Sequence, residues 1–295
     1  FGWKKVSPRF HLASTWLTAI GACLSALWIL VANAWMQYPV GTEFDPAQMR
    51  NVMSDFWAVV ASPMAINKFF HTVLSGWVLG GVFVVGVSCW FLLKKRNIEL
   101  AQKSIKIGGW VGLVGIVLTM WTGDGSAVAV SKYQPMKLAA MEGLYDGKCG
   151  QEIVAFGILN PQKTYDNNQD PYLFDVSLPY GLSILAKHDP NAFVPGINDL
   201  IKGVELTPEG DTIRTDSYAQ RIEIGRQAHA ALREYGEAEK NGDSVAMAEA
   251  SARLAQNFKY FGYGYFNDPS EAVPPVALTF YAFHIMVIAG GYLLM

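Results

Sequence analysis

The chain has 295 residues, 51% of them hydrophobic and only 16% charged, against roughly a quarter charged in an ordinary soluble domain. Residues 1–123 and 272–295 together carry ten Lys/Arg and four Asp/Glu, whereas residues 124–271 carry thirteen and twenty-one, a local charge of −8. That division excludes a single soluble domain, and a near-neutral chain with no basic face is a poor match for nucleic acid. It predicts an all-α, polytopic transmembrane helix bundle interrupted by one large acidic domain outside the membrane.

Three apolar stretches fall in residues 1–123, at about 11–35, 64–93 and 107–123. The first, His11 to Trp35, is long enough for the roughly 30 Å hydrocarbon core. The second run, Phe69 to Leu93, holds one ionisable residue, His71. The third, Ile107 to Gly123, is rich in glycine and just long enough to span. A fourth, in residues 272–295, is uncharged apart from His284. It ends with the chain, and the expectation is a truncated helix in a piece of a longer protein. Pro63 and Pro274–Pro275 stand where the second and fourth helices should begin. Lys94, Lys95, Arg96, Lys103 and Lys106 join the second and third spans, while Lys4, Lys5 and Arg9 precede the first. Basic loops stay in the cytoplasm, so residues 124–271 are expected on the outer, periplasmic face. Within them, Ser217–Ala238 and Asp243–Phe258 read as helices, the second capped by Asp243 after an Asn-Gly turn. The three cysteines show neither a metal-binding nor a disulfide spacing.

His71 carries the most information. An ionisable group inside a span faces the bundle interior and marks a site. The bland alternative is a neutral imidazole bonded to a neighbouring helix. His71 lies eight residues, or roughly 12 Å, past Pro63 at 1.5 Å per residue. Met286 lies eleven residues, or roughly 16 Å, past Pro275. An imidazole and a thioether at comparable depth suit the two axial positions of a haem, although Met alone is ordinary core filler. A rival reading makes the chain a non-redox transporter or scaffold whose intramembrane His serves a substrate or proton path.

Four segments then weigh on the choice: LSALWILVANAWMQYP (24–39), NKFFHTVLSGW (67–77), KLAAMEG (137–143) and VALTFYAFHIMV (276–287). In order and spacing they resemble subunit I of the cytochrome bd-type quinol oxidases, and the similarity fades in the middle of the insertion. The resemblance implies quinol oxidation coupled to reduction of O2 to water, generating a proton gradient across the bacterial inner membrane. It implies His71 and Met286 as axial ligands of a low-spin haem b, with Lys137 and Glu142 binding and oxidising quinol in a periplasmic loop. Their five-residue spacing puts them about 140° apart on a helix, so a bent or unwound backbone is expected. Ser25 matches part of a proton path, a weak assignment because a membrane Ser commonly packs helices. His284 stands where many members have Arg beside the haem, so any charge there is conditional on protonation. A second haem b, haem d and their ligands are expected outside this stretch, which alone should not reduce oxygen. A homologous second large subunit and small single-span subunits are the implied partners.

Overall fold

The computed structural model describes residues 5–45, 48, 50–206 and 212–295. Lys4 of the basic N-terminal flank and residues 207–211 of the insertion lie outside the described residues. In chain order the elements are α1 (Pro8–Gln37), β1 (Thr42–Asp45), β2 (Arg50–Met53), α2 (Phe56–Val60), α3 (Pro63–Leu93), α4 (Ile98–Tyr133) and α5 (Pro135–Met141). There follow β3 (Lys148–Cys149), β4 (Ile153–Leu159), β5 (Tyr172–Leu178), α6 (Gly181–Lys187), β6 (Phe193–Val194), α7 (Ile197–Lys202), β7 (Val204–Leu206) and β8 (Thr212–Arg214). The chain closes with α8 (Tyr218–Asn241), α9 (Ser244–Asn257), two 3-10 turns and α10 (Val276–Leu294). The fold is predominantly helical, and among the described residues four helices are long and apolar enough to cross a membrane.

Contacts divide the chain into two compact units. The first holds α1, α2, α3 and α4 as far as Ser126, and the second holds residues 43–52 and 127–292. The second unit therefore reaches beyond the acidic insertion to take in most of α10.

In the first unit the helix starts follow local capping rules. The Ser7 hydroxyl accepts from the Phe10 amide at 3.3 Å, and the Ser62 hydroxyl accepts from the Ala65 amide at 3.2 Å, each just before an N1 proline. Proline suits that position because its missing N–H has no partner there in any case. Lys68 of α3 donates to Asn33 of α1 at 2.7 Å. Helix α4 spans 36 residues, about 54 Å at 1.5 Å per residue, and extends past the apolar run at both ends. Good helix formers begin it, with Lys103 donating to Glu99 at 2.6 Å one turn away, and the Ala/Val run after Ser126 carries it onward.

Helices α3 and α4 approach backbone to backbone. A Cβ on Gly81 would lie 2.7 Å from the Gly108 carbonyl oxygen and 2.8 Å from the Gly112 backbone. Small residues at such a crossing give transmembrane helices their van der Waals contact. Gly81→Ala is therefore expected to push the two helices apart and destabilise the protein by about 1–3 kcal/mol, the usual cost of overpacking. Thermal unfolding in detergent checks this, with exposed Gly80→Ala as the neighbour expected to have little effect.

The second unit is built around α5. Met136 and Ala139 pack with Tyr145, Ile197 and Tyr218 on one side. Leu138 packs with Leu144, Leu182, Ala186 and Val194 on another. One short helix thus belongs to two buried clusters, which fixes its position. Helix α8 opens with a capping box, Ser217 and Gln220 each bonding the other's amide. Asp243 caps α9, accepting from the Val245 and Ala246 amides at 3.1 Å. The two helices close over Ala228, Ala231 and Leu254, and Phe44 of β1 stacks on Phe258 with centroids 4.4 Å apart. Among the described residues there are four two-stranded sheets, which were not anticipated from the sequence. The longest pairs β4 with β5 antiparallel, with irregular register between Val154 and Phe156.

Candidate functional site

His71 lies half-buried on α3. Its Nδ1 is 3.0 Å from the Thr122 hydroxyl on α4, and the Cβ position of Gly123 is 3.6 Å from its Cε1. One turn earlier, Asn67 donates to Ser126 at 2.6 Å. Two polar rungs thus join α3 to α4 at positions i and i+4 of each helix, where side chains share a face. Among the described residues no three His, Cys, Asp or Glu converge on a metal-ion position. Ser25 is exposed on α1.

The second group of residues centres on Glu142. Helix α5 ends at Met141, and Glu142 is its C-cap, followed by Gly143 at φ +58°. Between Lys137 and Glu142 the helix is unbroken, the Glu142 amide still bonding the Leu138 carbonyl at 3.0 Å, so the expected bend is absent there and the backbone leaves the helix only at Gly143. Glu142 is 2% exposed, and neither of its carboxylate oxygens has a hydrogen-bond partner. Burial pushes its carboxyl up to about 8, so it is protonated at neutral pH. Lys137 is half-buried and is not bonded to it. A buried polar group without a partner is costly, and such a group in a native fold marks a functional position or an unfilled one.

Three residues hold Glu142 there. The Tyr172 hydroxyl on β5 donates to the Glu142 carbonyl oxygen. Burial, reinforced by the Glu142 charge, pushes the Tyr172 phenol up, keeping it a donor. Phe280 of α10 lies with its ring 6.0 Å from that of Tyr172. A Cβ at Gly143 would sit 3.0 Å from the Tyr172 hydroxyl and 3.4 Å from Phe280. Glycine is required there both for the left-handed backbone and for the close approach. Tyr172 and Gly143 were not singled out from sequence, since their pairing depends on a strand that returns thirty residues later.

On α10, Met286 is 54% exposed, so its thioether is accessible. His284 is buried, with Nδ1 2.9 Å from the Phe280 carbonyl and Nε2 2.8 Å from the Val154 carbonyl on β4. The Tyr281 hydroxyl accepts from the Leu159 amide at 3.0 Å. Both ring nitrogens of His284 are thus engaged with backbone, and the residue ties α10 to the β4 edge.

The whole chain, residues 1–295, matches the family model for cytochrome bd terminal oxidase subunit I. The chain belongs to that family. It is 34% identical over its full length to cytochrome bd-II ubiquinol oxidase subunit 1 of Escherichia coli (strain K12), covering 56% of that protein. It is 31% identical over 76% of its length to cytochrome bd ubiquinol oxidase subunit 1 of Bacillus subtilis (strain 168), covering 47% of it. The chain thus spans about half the length of these curated relatives. The solved bd oxidase of Geobacillus thermodenitrificans shares the fold across the entire chain, at TM-score 0.57 and 20% identity, with 71% of that structure covered. Membership in the cytochrome bd family carries haem as its cofactor class and a multi-pass membrane protein as its setting.

Proposed function

We propose that this cytochrome bd subunit I chain is the electron-entry part of a quinol oxidase, taking electrons from quinol at Glu142 and passing them toward a low-spin haem b. The observation that carries the reading is Glu142, a carboxyl with two orphan oxygens, raised to about 8 and seated where α5 unwinds. A quinol hydroxyl supplies the missing partner, and a base with a value near the working pH is suited to removing its proton. Lys137 lies one and a half turns earlier on the same element and is assigned to binding the quinol ring oxygens.

His71 and Met286 are assigned as the residues that would hold the low-spin haem b, which when bound would supply one-electron transfer. The His71 environment fits such a group, because Nδ1 is occupied by Thr122 while the donor set offers one imidazole. His284 is assigned to the haem's neighbourhood on the family resemblance, with a charge conditional on protonation, and it also ties α10 to β4. Ser25 is assigned to a proton path on the family resemblance alone. The basic residues between α3 and α4 and before α1 support a cytoplasmic assignment for those ends, and residues 124–271 are assigned to the periplasmic side of the inner membrane. Protons from quinol are then released outside, and those consumed in making water come from inside. The second haem b, haem d, the homologous large subunit and small single-span subunits complete the assembly.

A reduced-minus-oxidised spectrum of the full-length assembly tests this directly. Low-spin haem b bands that appear on adding quinol are expected. A colourless preparation, or haem that quinol does not reduce, overturns the reading.

A further inference from the structure

The Thr122 hydroxyl has three neighbours: Nδ1 of His71 at 3.0 Å, the Leu118 carbonyl at 3.0 Å and the Thr119 carbonyl at 3.1 Å. A hydroxyl carries one hydrogen, and a carbonyl oxygen can only accept. When the hydroxyl hydrogen goes to a carbonyl of its own helix, the usual threonine back-bond, the hydroxyl oxygen accepts from the ring. That arrangement holds His71 with its proton on Nδ1 and its lone pair on Nε2. The contact is braced one turn away, where Asn67 donates to Ser126 and the Ser126 hydroxyl donates to the Thr122 carbonyl at 3.0 Å. Sliding α3 along α4 would break both rungs together.

We infer that Thr122 is the positioning residue for His71 as a haem ligand, selecting the tautomer, fixing the ring plane and strengthening Nε2 as a donor. This rests on the haem reading above. A ligating imidazole whose other N–H meets an acceptor is a more basic ligand, and a more basic ligand favours the oxidised iron. Thr122 therefore holds the haem potential down.

The test is a potentiometric titration and ferric-haem electron paramagnetic resonance on the full-length assembly. The proteins compared are wild type, Thr122→Val, Thr122→Ser and His71→Ala. Valine keeps the shape and removes the acceptor. It is expected to raise the midpoint potential, shift the low-spin resonance and weaken haem retention by roughly tenfold or more. Serine restores the hydroxyl and is expected to restore the wild-type potential, which a purely steric role for Thr122 would not predict. A wild-type potential and resonance in Thr122→Val, with the low-spin haem lost from His71→Ala, overturns the inference and leaves the ligand assignment standing. Low-spin haem retained in His71→Ala overturns the ligand assignment and the inference with it. Should Thr122→Val fail to assemble, Thr122→Ala is compared with Thr122→Ser, and equal potentials in those two overturn the inference.

Discussion

Replacing His71 with Ala is expected to abolish the low-spin haem b signal completely while leaving the other haems of the full-length assembly in place. The residues beside it on α4 are Thr122 and Gly123, neither of which offers iron a side-chain nitrogen or sulfur. The substitution also leaves a space the size of an imidazole, so added imidazole is expected to restore part of the spectrum. Met286→Leu is the milder partner experiment. Leucine keeps the volume and removes the sulfur, so the haem is expected to stay bound and shift toward a high-spin spectrum. Stability should change little, because Met286 is largely exposed and makes little core contact. Wild-type low-spin spectra in both variants would falsify the ligand pair.

The reach of the sequence differed between the two units for physical reasons. Transmembrane helices are specified by composition and length, so the α1, α3 and α10 cores were legible, along with the Pro63 start and the Asp243 cap. The ends of α4 were not, because a helix continues through Glu99 and Lys103 or through Ala127–Val130 without needing an apolar pattern. The strands were missed because β4 and β5 pair across a turn-rich loop, and their apolar residues Phe156, Ile158, Phe174 and Val176 remain exposed. No single-strand signal reports such a pairing. His71, Glu142 and Lys137 were visible as residue types inside family-like motifs. Their environments were not: Thr122 becomes meaningful only once the Gly81–Gly112 crossing sets which turn of α4 faces His71. The surroundings of His284 were hidden in the same way. Residue type left the charge conditional on protonation, and the fold sets both nitrogens against carbonyl oxygens from α10 and β4, two acceptors of which the neutral ring can satisfy only one.

Quinol oxidation by the full-length assembly is expected to follow the protonation of Glu142. With the carboxyl at about 8, the ionised fraction, and with it turnover limited by proton removal, climbs about tenfold per pH unit below that value and levels above it. Stability runs the other way. The folded state holds a proton that the unfolded state has released above the ordinary carboxyl value of 4.5. The folded state therefore binds more protons between 4.5 and about 8, and stability falls as pH rises through that window. Below 4.5 the contribution is fully present. Glu142→Gln resembles the protonated form in shape and cannot ionise. It is expected to leave the haem spectra unchanged, to lower turnover by about 10²-fold or more, and to lose the rising limb of the pH profile. The same variant should lose this part of the stability decline, so that at pH 9 it unfolds at a higher temperature than wild type. Lys137→Ala is expected to raise KM for quinol and to keep the limb, because it removes a binding contact and leaves the base. The two readouts separate the roles: a Glu142→Gln protein with both wild-type turnover and a wild-type pH profile would make Glu142 a buried structural carboxyl. A normal pH profile together with slow turnover would assign the base to another group and leave Glu142 only the binding of quinol.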